Sequence, residues 1–199
     1  MGMKRSKVVV FGGSFSPPTL AHTEIIARCL AVPGVDEVWL VPSGNRTDKN
    51  IAVTATDQLA MLKIVVKNVC NADKRLRIVD TELKRGIATE TYDTYQEFLR
   101  DYPETDFWFV YGSDSYATIR HWLNGDWLAS NLPVMLVPRN NIPLPKTASN
   151  IQHLLPLSDY AAPISSTKVR TKLATHGDAS TLIPAPIASY IKRNHLFAS

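Results

Sequence analysis

Short segments that are almost continuously apolar recur along the chain. Such segments are typical of strands buried on both faces of a parallel sheet. They predict five strands, at Lys7–Phe11, Glu37–Val41, Leu76–Asp80, Phe107–Tyr111 and Val134–Val137. Between these segments, apolar residues recur at helical spacing. The alternation of strands and helices predicts an α/β fold with a Rossmann-like, doubly wound parallel sheet and right-handed crossovers.

The helical spacing is clearest in five places. These are Ile25–Leu30, the stretch between Asp57 and Cys70, Thr94–Tyr102, Ser115–Trp122 and the amphipathic end within Ile183–Phe197. A Pro-rich polar stretch, Asn140–Thr147, predicts a loop and not a domain boundary. We therefore expect a single domain over residues 1–199, whose C-terminal part from about residue 160 carries its own candidate motif.

Composition narrows the class of protein. Of the 199 residues, 45% are apolar and 20% charged, ordinary values for a globular protein with a core. No run of eighteen apolar residues predicts a transmembrane span, and the basic start lacks a secretory signal, so we expect a cytoplasmic location. Cys29 and Cys70 lie in helical patterns without paired spacing, which indicates buried thiols.

The net charge is +4 and the pI is about 9.1. A basic surplus raises the question of nucleic-acid binding. Lys and Arg are spread along the whole chain, however, without a basic arm, so we predict no nucleic-acid partner. A protein that holds nucleotide phosphates would show the same surplus.

The first candidate site follows the first predicted strand, at Gly12–His22. Two glycines at a strand-to-helix turn let the backbone approach a phosphate, and the helix N-terminus offers free N–H groups and a positive dipole end. His22 falls in the first helical turn, where its imidazole can donate to the same phosphate. By itself, the Gly12-Gly13 pair also fits an ordinary tight turn beside a polar histidine.

The second candidate site is Ile164–Arg170, in which Ser165, Ser166 and Thr167 precede a helical stretch. Three hydroxyl residues at a helix start can cap the helix and cradle a phosphate. Arg170, one turn later, can reach the same anion with its planar guanidinium. The alternative is an ordinary cap with a solvated arginine.

Together the two segments resemble the signature pair of the nucleotidylyltransferase superfamily. Further segments resemble one branch, the nicotinate/nicotinamide mononucleotide adenylyltransferases. They are Val41-Pro42 with Lys49, Thr91–Thr94, Tyr111–Asp114 with Trp122, Val137–Arg139 and the end from Pro184 to Phe197. The resemblance spans nearly the whole chain. Thr19, Ser16 and Ala21 depart from the commonest residues at their positions.

The resemblance implies that a phosphate of the second substrate attacks the α-phosphate of ATP in line, without a protein nucleophile. His22 and Arg170 are then expected to be catalytic, with Thr19 assisting through its hydroxyl. The ATP-binding residues that it implies are Gly12, Gly13, Ser14, Phe15, Gly112, Asp114, Ser165, Ser166 and Thr167. Mg²⁺ is expected to arrive with ATP, because no cluster of carboxylates or histidines resembles a metal site formed by the protein.

The same resemblance implies roles at the mononucleotide. Trp122 would stack on the pyridine ring, Thr91 would bond its substituent, and Asp114 would take ribose hydroxyls. Lys49 and Arg139 would meet the mononucleotide phosphate. From the residues alone, Asp114 also fits the N-cap of Ser115–Trp122, Trp122 fits core packing, and the two cations fit a solvated surface.

The implied partners are ATP and a pyridine mononucleotide. The form of the Thr91 segment resembles the bacterial branch, which favours nicotinate over nicotinamide. Glu90 argues against the acid, because a nearby carboxylate would repel it, and Thr19 is shared with members that accept the amide. The sequence does not set the oligomeric state, and a homo-oligomer is compatible with it.

Two other functions stay open. One is a different reaction of the same superfamily, by a pantetheine-phosphate adenylyltransferase or a small cytidylyltransferase. The other is a nucleotide-binding module with weak catalysis, for which the departures at Thr19, Ser16 and Ala21 leave room.

Overall fold

Six parallel strands form one sheet in the computed structural model, which describes residues 5–44, 51–88, 90–139, 142–144 and 149–197. The strands are β1 (Ser6–Gly13), β2 (Glu37–Pro42), β3 (Leu76–Ile78), β4 (Thr105–Gly112), β5 (Val134–Val137) and β6 (Ile151–Leu154). Their order across the sheet is β3-β2-β1-β4-β5-β6. The predicted doubly wound parallel sheet is confirmed.

Eight α-helices accompany the sheet in the described residues. They are α1 (Leu20–Ala31), α2 (Ala55–Ile64), α3 (Thr81–Arg85), α4 (Thr91–Asp101), α5 (Ser113–Tyr116), α6 (Gly125–Asn131), α7 (Ser166–Ala174) and α8 (Ala185–Arg193). A π-helical turn, Val65–Val69, continues α2, and a 3₁₀ turn, Ile119–His121, follows α5. None of these helices is both long enough and apolar enough to cross a membrane.

Both faces of the sheet are buried, which explains the continuous apolar runs. Val9 and Val38 point into a core shared with α1, α2, α7 and α8. Val8, Val10 and Trp39, their neighbours on the same strands, point into a second core with α4 and α6. Because successive side chains of a strand face opposite sides, a strand covered on both sides needs apolar residues at every position.

Two sequence predictions about strands need correction. β3 ends at Ile78 and not at Asp80, because Asp80 is already the N-cap residue of α3. The sixth strand, β6, escaped prediction. It lies at the edge of the sheet, where three of its four residues are exposed, so the apolar pattern of a central strand is missing.

The helix predicted at Ser115–Trp122 is also wrong in its bounds. α5 begins at Ser113, with Gly112 as its N-cap residue, and lasts only one turn before the 3₁₀ turn. Asp114 therefore lies inside the first turn of α5, and its predicted role as an N-cap is excluded. The loop predicted at Asn140–Thr147 lies mostly outside the described residues.

Strand order reverses between β1 and β4, since the chain proceeds outward from β1 through β2 and β3 and returns to pair β4 with β1. Loops on the two sides of such a point diverge and leave a crevice beyond the carboxyl ends of the strands. The segments after Gly13, Gly112 and Val137 all begin at this edge. The candidate residues are therefore expected to meet there.

Candidate active site

The loop between β1 and α1 forms the floor of the site. A Cβ added to Gly12 would lie 3.9 Å from its nearest neighbour, the Val41 carbonyl oxygen. A Cβ added to Gly13 would contact only the Phe15 ring, at 3.5 Å. Neither glycine has a positive φ. Internal packing therefore does not require glycine at these positions, and the absence of side chains leaves the backbone of this loop open to close approach.

Thr19 and His22 form a capping box at the start of α1. The Thr19 backbone N–H donates to His22 Nδ1 over 3.0 Å, and the Thr19 hydroxyl lies 2.8 Å from the same nitrogen. In return, the Thr19 hydroxyl accepts from the His22 N–H. Because a backbone N–H can only donate, Nδ1 is the acceptor, and the ring proton of neutral His22 is on Nε2.

The surroundings of His22 keep it neutral. Its ring packs against Phe11 and Phe15, with centroids 5.8 and 5.2 Å away. Burial and, to a smaller extent, the positive charge of Arg139 lower the pKa of His22 from 6.5 to about 4. At neutral pH the ring therefore presents one N–H donor, Nε2–H, and carries no charge.

This lowered pKa predicts a pH dependence of stability. The unfolded chain binds a proton at His22 near pH 6.5 and the folded chain only near pH 4, so the free energy of unfolding falls as the pH decreases through this window. The loss is about 3 kcal/mol at most. His22→Gln keeps a side-chain acceptor for the Thr19 N–H but removes the titration.

Urea unfolding at pH 7 and at pH 4.5 checks the prediction. Other groups titrate equally in the parent and in His22→Gln, so the difference between the two proteins isolates His22. The parent should lose more stability than the variant on acidification. Equal losses would show that His22 has an ordinary pKa.

The second motif closes on the first. Ser165 is the N-cap residue of α7, and its side chain accepts from the Lys168 N–H. The Ser166 hydroxyl donates to the Pro17 carbonyl over 2.8 Å, a contact between residues 149 positions apart. Arg170 Nη1 donates to the Ser16 carbonyl, also over 2.8 Å, and Nη2 donates to the Thr167 hydroxyl over 3.2 Å. The N-terminus of α7 and its arginine thus lie directly over the first loop.

A third group gathers at the carboxyl ends of β4 and β5. The Asp114 carboxylate folds over Gly112, where an added Cβ would lie 2.2 Å from Asp114 Oδ1 and 3.4 Å from Arg139 Nε. The Arg139 N–H donates to the Ser113 hydroxyl over 2.9 Å, and its Nη1 donates to the Ala162 carbonyl over 3.2 Å. A side chain at residue 112 would thus force the Asp114 carboxylate to move, whereas the Arg139 guanidinium would be only in tight contact with it.

Arg139 also links this group to the first loop. Its positive charge acts on His22 strongly enough to contribute to the lowered pKa of the imidazole. Two cations, Arg139 and Arg170, and the neutral donor His22 therefore lie around the loop between β1 and α1. This arrangement can stabilise the negative charge of several phosphates at once.

Thr91 and Trp122 form a fourth group of the site, because both contact Tyr111. The Thr91 hydroxyl is 2.9 Å from the Tyr111 hydroxyl, and the Tyr111 ring meets Trp122 edge to face with centroids 5.1 Å apart. Trp122 is partly exposed, and its Nε1 donates to the Thr118 hydroxyl over 3.1 Å. Lys49 lies outside the described residues.

Sequence reasoning missed Gln58. This residue is 2% exposed, and its Nε2 donates to the Ser14 carbonyl over 2.7 Å and to the Ser43 carbonyl over 3.4 Å. Gln58 therefore ties the first loop to the loop that follows β2. The available signal was a polar residue in helical register with Met61 and Leu62, the buried apolar residues of α2.

In the part of the chain that the structure describes, no group of three or more His, Cys, Asp or Glu side chains is arranged to hold a metal ion. The four histidines outside the motifs, His121, His153, His176 and His195, are exposed. Cys29 is buried and Cys70 is half-buried, and both are free thiols.

Known proteins are similar to this chain over nearly its whole length. A Neisseria meningitidis protein named "probable nicotinate-nucleotide adenylyltransferase" is 30% identical over 96% of this chain and 98% of its own length. A Listeria monocytogenes protein of the same name is 27% identical over 97% and 98%.

Solved structures share the fold. Plasmodium falciparum nicotinic acid mononucleotide adenylyltransferase complexed with NaAD superposes with a TM-score of 0.87, at 22% identity, over 96% of this chain and 97% of that one. The same enzyme complexed with APC gives 0.84 at 21% identity. A family model described as cytidylyltransferase-like matches residues 10–172. The chain therefore belongs to the cytidylyltransferase-like family and is a nucleotidyltransferase.

Proposed function

We propose that the protein transfers AMP from ATP to nicotinate mononucleotide, which yields the dinucleotide and pyrophosphate. The observation that carries the proposal is the closure of Ser166 and Arg170 onto Ser16–Pro17, beside His22 and Arg139. This closure makes one site with donors for the phosphates of two nucleotides. The full-length relatives named for this reaction support the choice of substrates.

In the proposed reaction, a phosphate oxygen of the mononucleotide attacks the α-phosphorus of ATP in line. The bond from that phosphorus to the bridging oxygen breaks, and pyrophosphate leaves. His22 donates its Nε2–H to the ATP phosphates, together with the backbone N–H groups of Gly13 and Ser14. Thr19 acts by orienting His22, because it is fully buried and its hydroxyl and N–H both meet Nδ1.

The leaving β- and γ-phosphates are assigned to the start of α7. The free N–H groups of this helix, the hydroxyls of Ser165, Ser166 and Thr167, and the guanidinium of Arg170 supply the donors. Arg139 is assigned to the mononucleotide phosphate, and Lys49 remains a prediction for the same phosphate. Mg²⁺ enters as part of the ATP substrate, coordinated by its phosphates.

The nucleosides are assigned to the carboxyl end of β4 and to the helices beside it. The Asp114 carboxylate accepts from ribose hydroxyls, Trp122 stacks on the pyridine ring, and Thr91 bonds the ring substituent. Preference for the acid is supported by the N-terminus of α4, whose N-cap residue, Glu90, makes no side-chain hydrogen bond to it. The side chain of the N-cap residue therefore does not compete with a carboxylate for the first N–H groups of α4.

An assay of dinucleotide formation tests the proposal. The protein is incubated with ATP, Mg²⁺ and equal amounts of nicotinate and nicotinamide mononucleotide, and the products are separated by chromatography. We expect equal amounts of dinucleotide and pyrophosphate, with the nicotinate product in excess. Product only with phosphopantetheine, or only with CTP and an alcohol phosphate, would point to another reaction of the superfamily. Binding of ATP without any product would indicate a binding module.

The remaining predictions concern the setting of the enzyme. A cytoplasmic location and the absence of a nucleic-acid partner both rest on the sequence alone, and a homo-oligomer is compatible with the sequence without being predicted by it.

A further inference from the structure

We propose that Tyr111 determines the preference for the acid by making the Thr91 hydroxyl a donor toward the pyridine substituent. The proposal deepens the proposed function and rests on it, because it concerns the same mononucleotide site. Tyr111 is thereby a positioning residue, which acts on the substrate through Thr91 and Trp122.

Tyr111 is the next-to-last residue of β4, directly before Gly112, and contacts both residues assigned to the ring. Its hydroxyl lies 2.9 Å from Thr91 Oγ1, and its ring edge meets Trp122 at an interplanar angle of 64°. On its other side it stacks on Phe109 at 13°. One side chain thus sets both the orientation of the Thr91 hydroxyl and the position of the Trp122 ring.

The direction of the hydrogen bond between the two hydroxyls decides what Thr91 can offer. A threonine hydroxyl has one proton and two lone pairs. The phenol of tyrosine, with a pKa near 10, is a far stronger acid than an aliphatic alcohol, so Tyr111 is the better donor of the pair. When Tyr111 donates to Thr91 Oγ1, the threonine proton is left to point elsewhere.

The donor direction of the Thr91 hydroxyl affects the two substrates differently. The carboxylate of nicotinate can only accept hydrogen bonds, whereas the amide of nicotinamide also donates two. The amide also has a carbonyl oxygen that can accept the Thr91 proton, but a charged carboxylate accepts a hydrogen bond more strongly than a neutral carbonyl does. A Thr91 proton held toward the ring substituent therefore stabilises bound nicotinate more than bound nicotinamide.

The guanidinium groups near α4 and the 3₁₀ turn are engaged elsewhere. Arg85 pairs with Glu97 and donates to Thr94, while Arg120 pairs with Asp126 at the exposed surface. Within the described residues, these pairings leave hydroxyl and backbone N–H donors to recognise the ring substituent. The direction in which the Thr91 hydroxyl donates then has a measurable effect on the choice between the two mononucleotides.

The test is the ratio of acid to amide product when both mononucleotides compete in one tube. This ratio does not depend on the fraction of folded enzyme, so a loss of stability cannot imitate the effect. Tyr111→Phe keeps the ring against Trp122 and removes only the hydroxyl. We expect the acid-to-amide ratio to fall roughly 3- to 10-fold, the range that one neutral hydrogen bond supports.

Three further variants sharpen the test. Thr91→Ser keeps the hydroxyl and should keep the parental ratio, whereas Thr91→Val should lower it. Adding Tyr111→Phe to Thr91→Val should then change little more, since the two residues act as one unit. Tyr190→Phe is the matched control, because it also removes a hydroxyl-to-side-chain bond, to Asp57 Oδ1 at 2.9 Å, but between α2 and α8.

A parental ratio in Tyr111→Phe, or an equal loss with both mononucleotides, would overturn the inference. So would a parent that prefers the amide, because Thr91 would then act as an acceptor. A parent that forms no dinucleotide from either mononucleotide would instead refute the proposed function. The two failures are therefore distinguishable in the same assay.

Discussion

Replacing His22 by alanine is expected to lower turnover by roughly 10²-fold or more. The reason is electrostatic: Nε2–H is a donor that is fixed in direction by the Thr19 N–H and kept neutral by burial, so it needs no reorganisation when charge develops on the phosphates. Steady-state rates of pyrophosphate release at saturating ATP and mononucleotide provide the measurement.

The alanine variant also removes half of the capping box, so a second variant separates stability from catalysis. His22→Glu restores an acceptor for the Thr19 N–H, as a capping box requires, but places a carboxylate where the phosphates need a donor. We expect its turnover to be as low as that of His22→Ala while its thermal stability stays closer to that of the parent. His121→Ala, at an exposed histidine, should match the parent. Near-parental turnover in a folded His22→Glu would refute the assigned role.

Replacing Arg170 by alanine is expected to lower turnover by a similar factor, roughly 10²-fold, because the leaving pyrophosphate loses a cationic partner in the transition state. The guanidinium also holds the Ser16 carbonyl at 2.8 Å and the Thr167 hydroxyl at 3.2 Å. The loss should therefore appear in kcat as well as in the KM for ATP. Rates measured over a range of ATP concentrations separate the two constants.

Two controls interpret that result. Arg170→Lys keeps the charge without the planar pair of donors and should recover only part of the loss. Lys172→Ala removes the same charge two residues later, at a side chain that is exposed and donates to the Asp178 carbonyl, so its turnover should stay near that of the parent. If Lys172→Ala lost as much activity as Arg170→Ala, general attraction of ATP would explain the effect and the specific role would be wrong.

Much of the fold could be predicted because its main signals are local. Each of the five predicted strands is present, since burial on both faces demands consecutive apolar residues. The start of α1 just before His22 and the start of α7 within the hydroxyl cluster Ser165–Thr167 were readable, because N-capping depends on residues within one turn. β6 was missed for the converse reason: an edge strand with one neighbour and an exposed face needs no apolar run.

The sequence by itself determined the alternation of strands and helices, the two phosphate motifs and the resemblance to a nucleotidyltransferase family. These features depend on interactions between residues close together in the chain, so short segments are enough to predict them. The tertiary structure decided which of them meet. It brought Ser166 and Arg170 onto Ser16–Pro17, and joined Thr91 to Trp122 through Tyr111. It also keeps His22 neutral, because the pKa of a side chain depends on its burial and on nearby charges. One such charge is Arg139, which follows β5 and is brought near His22 by the fold.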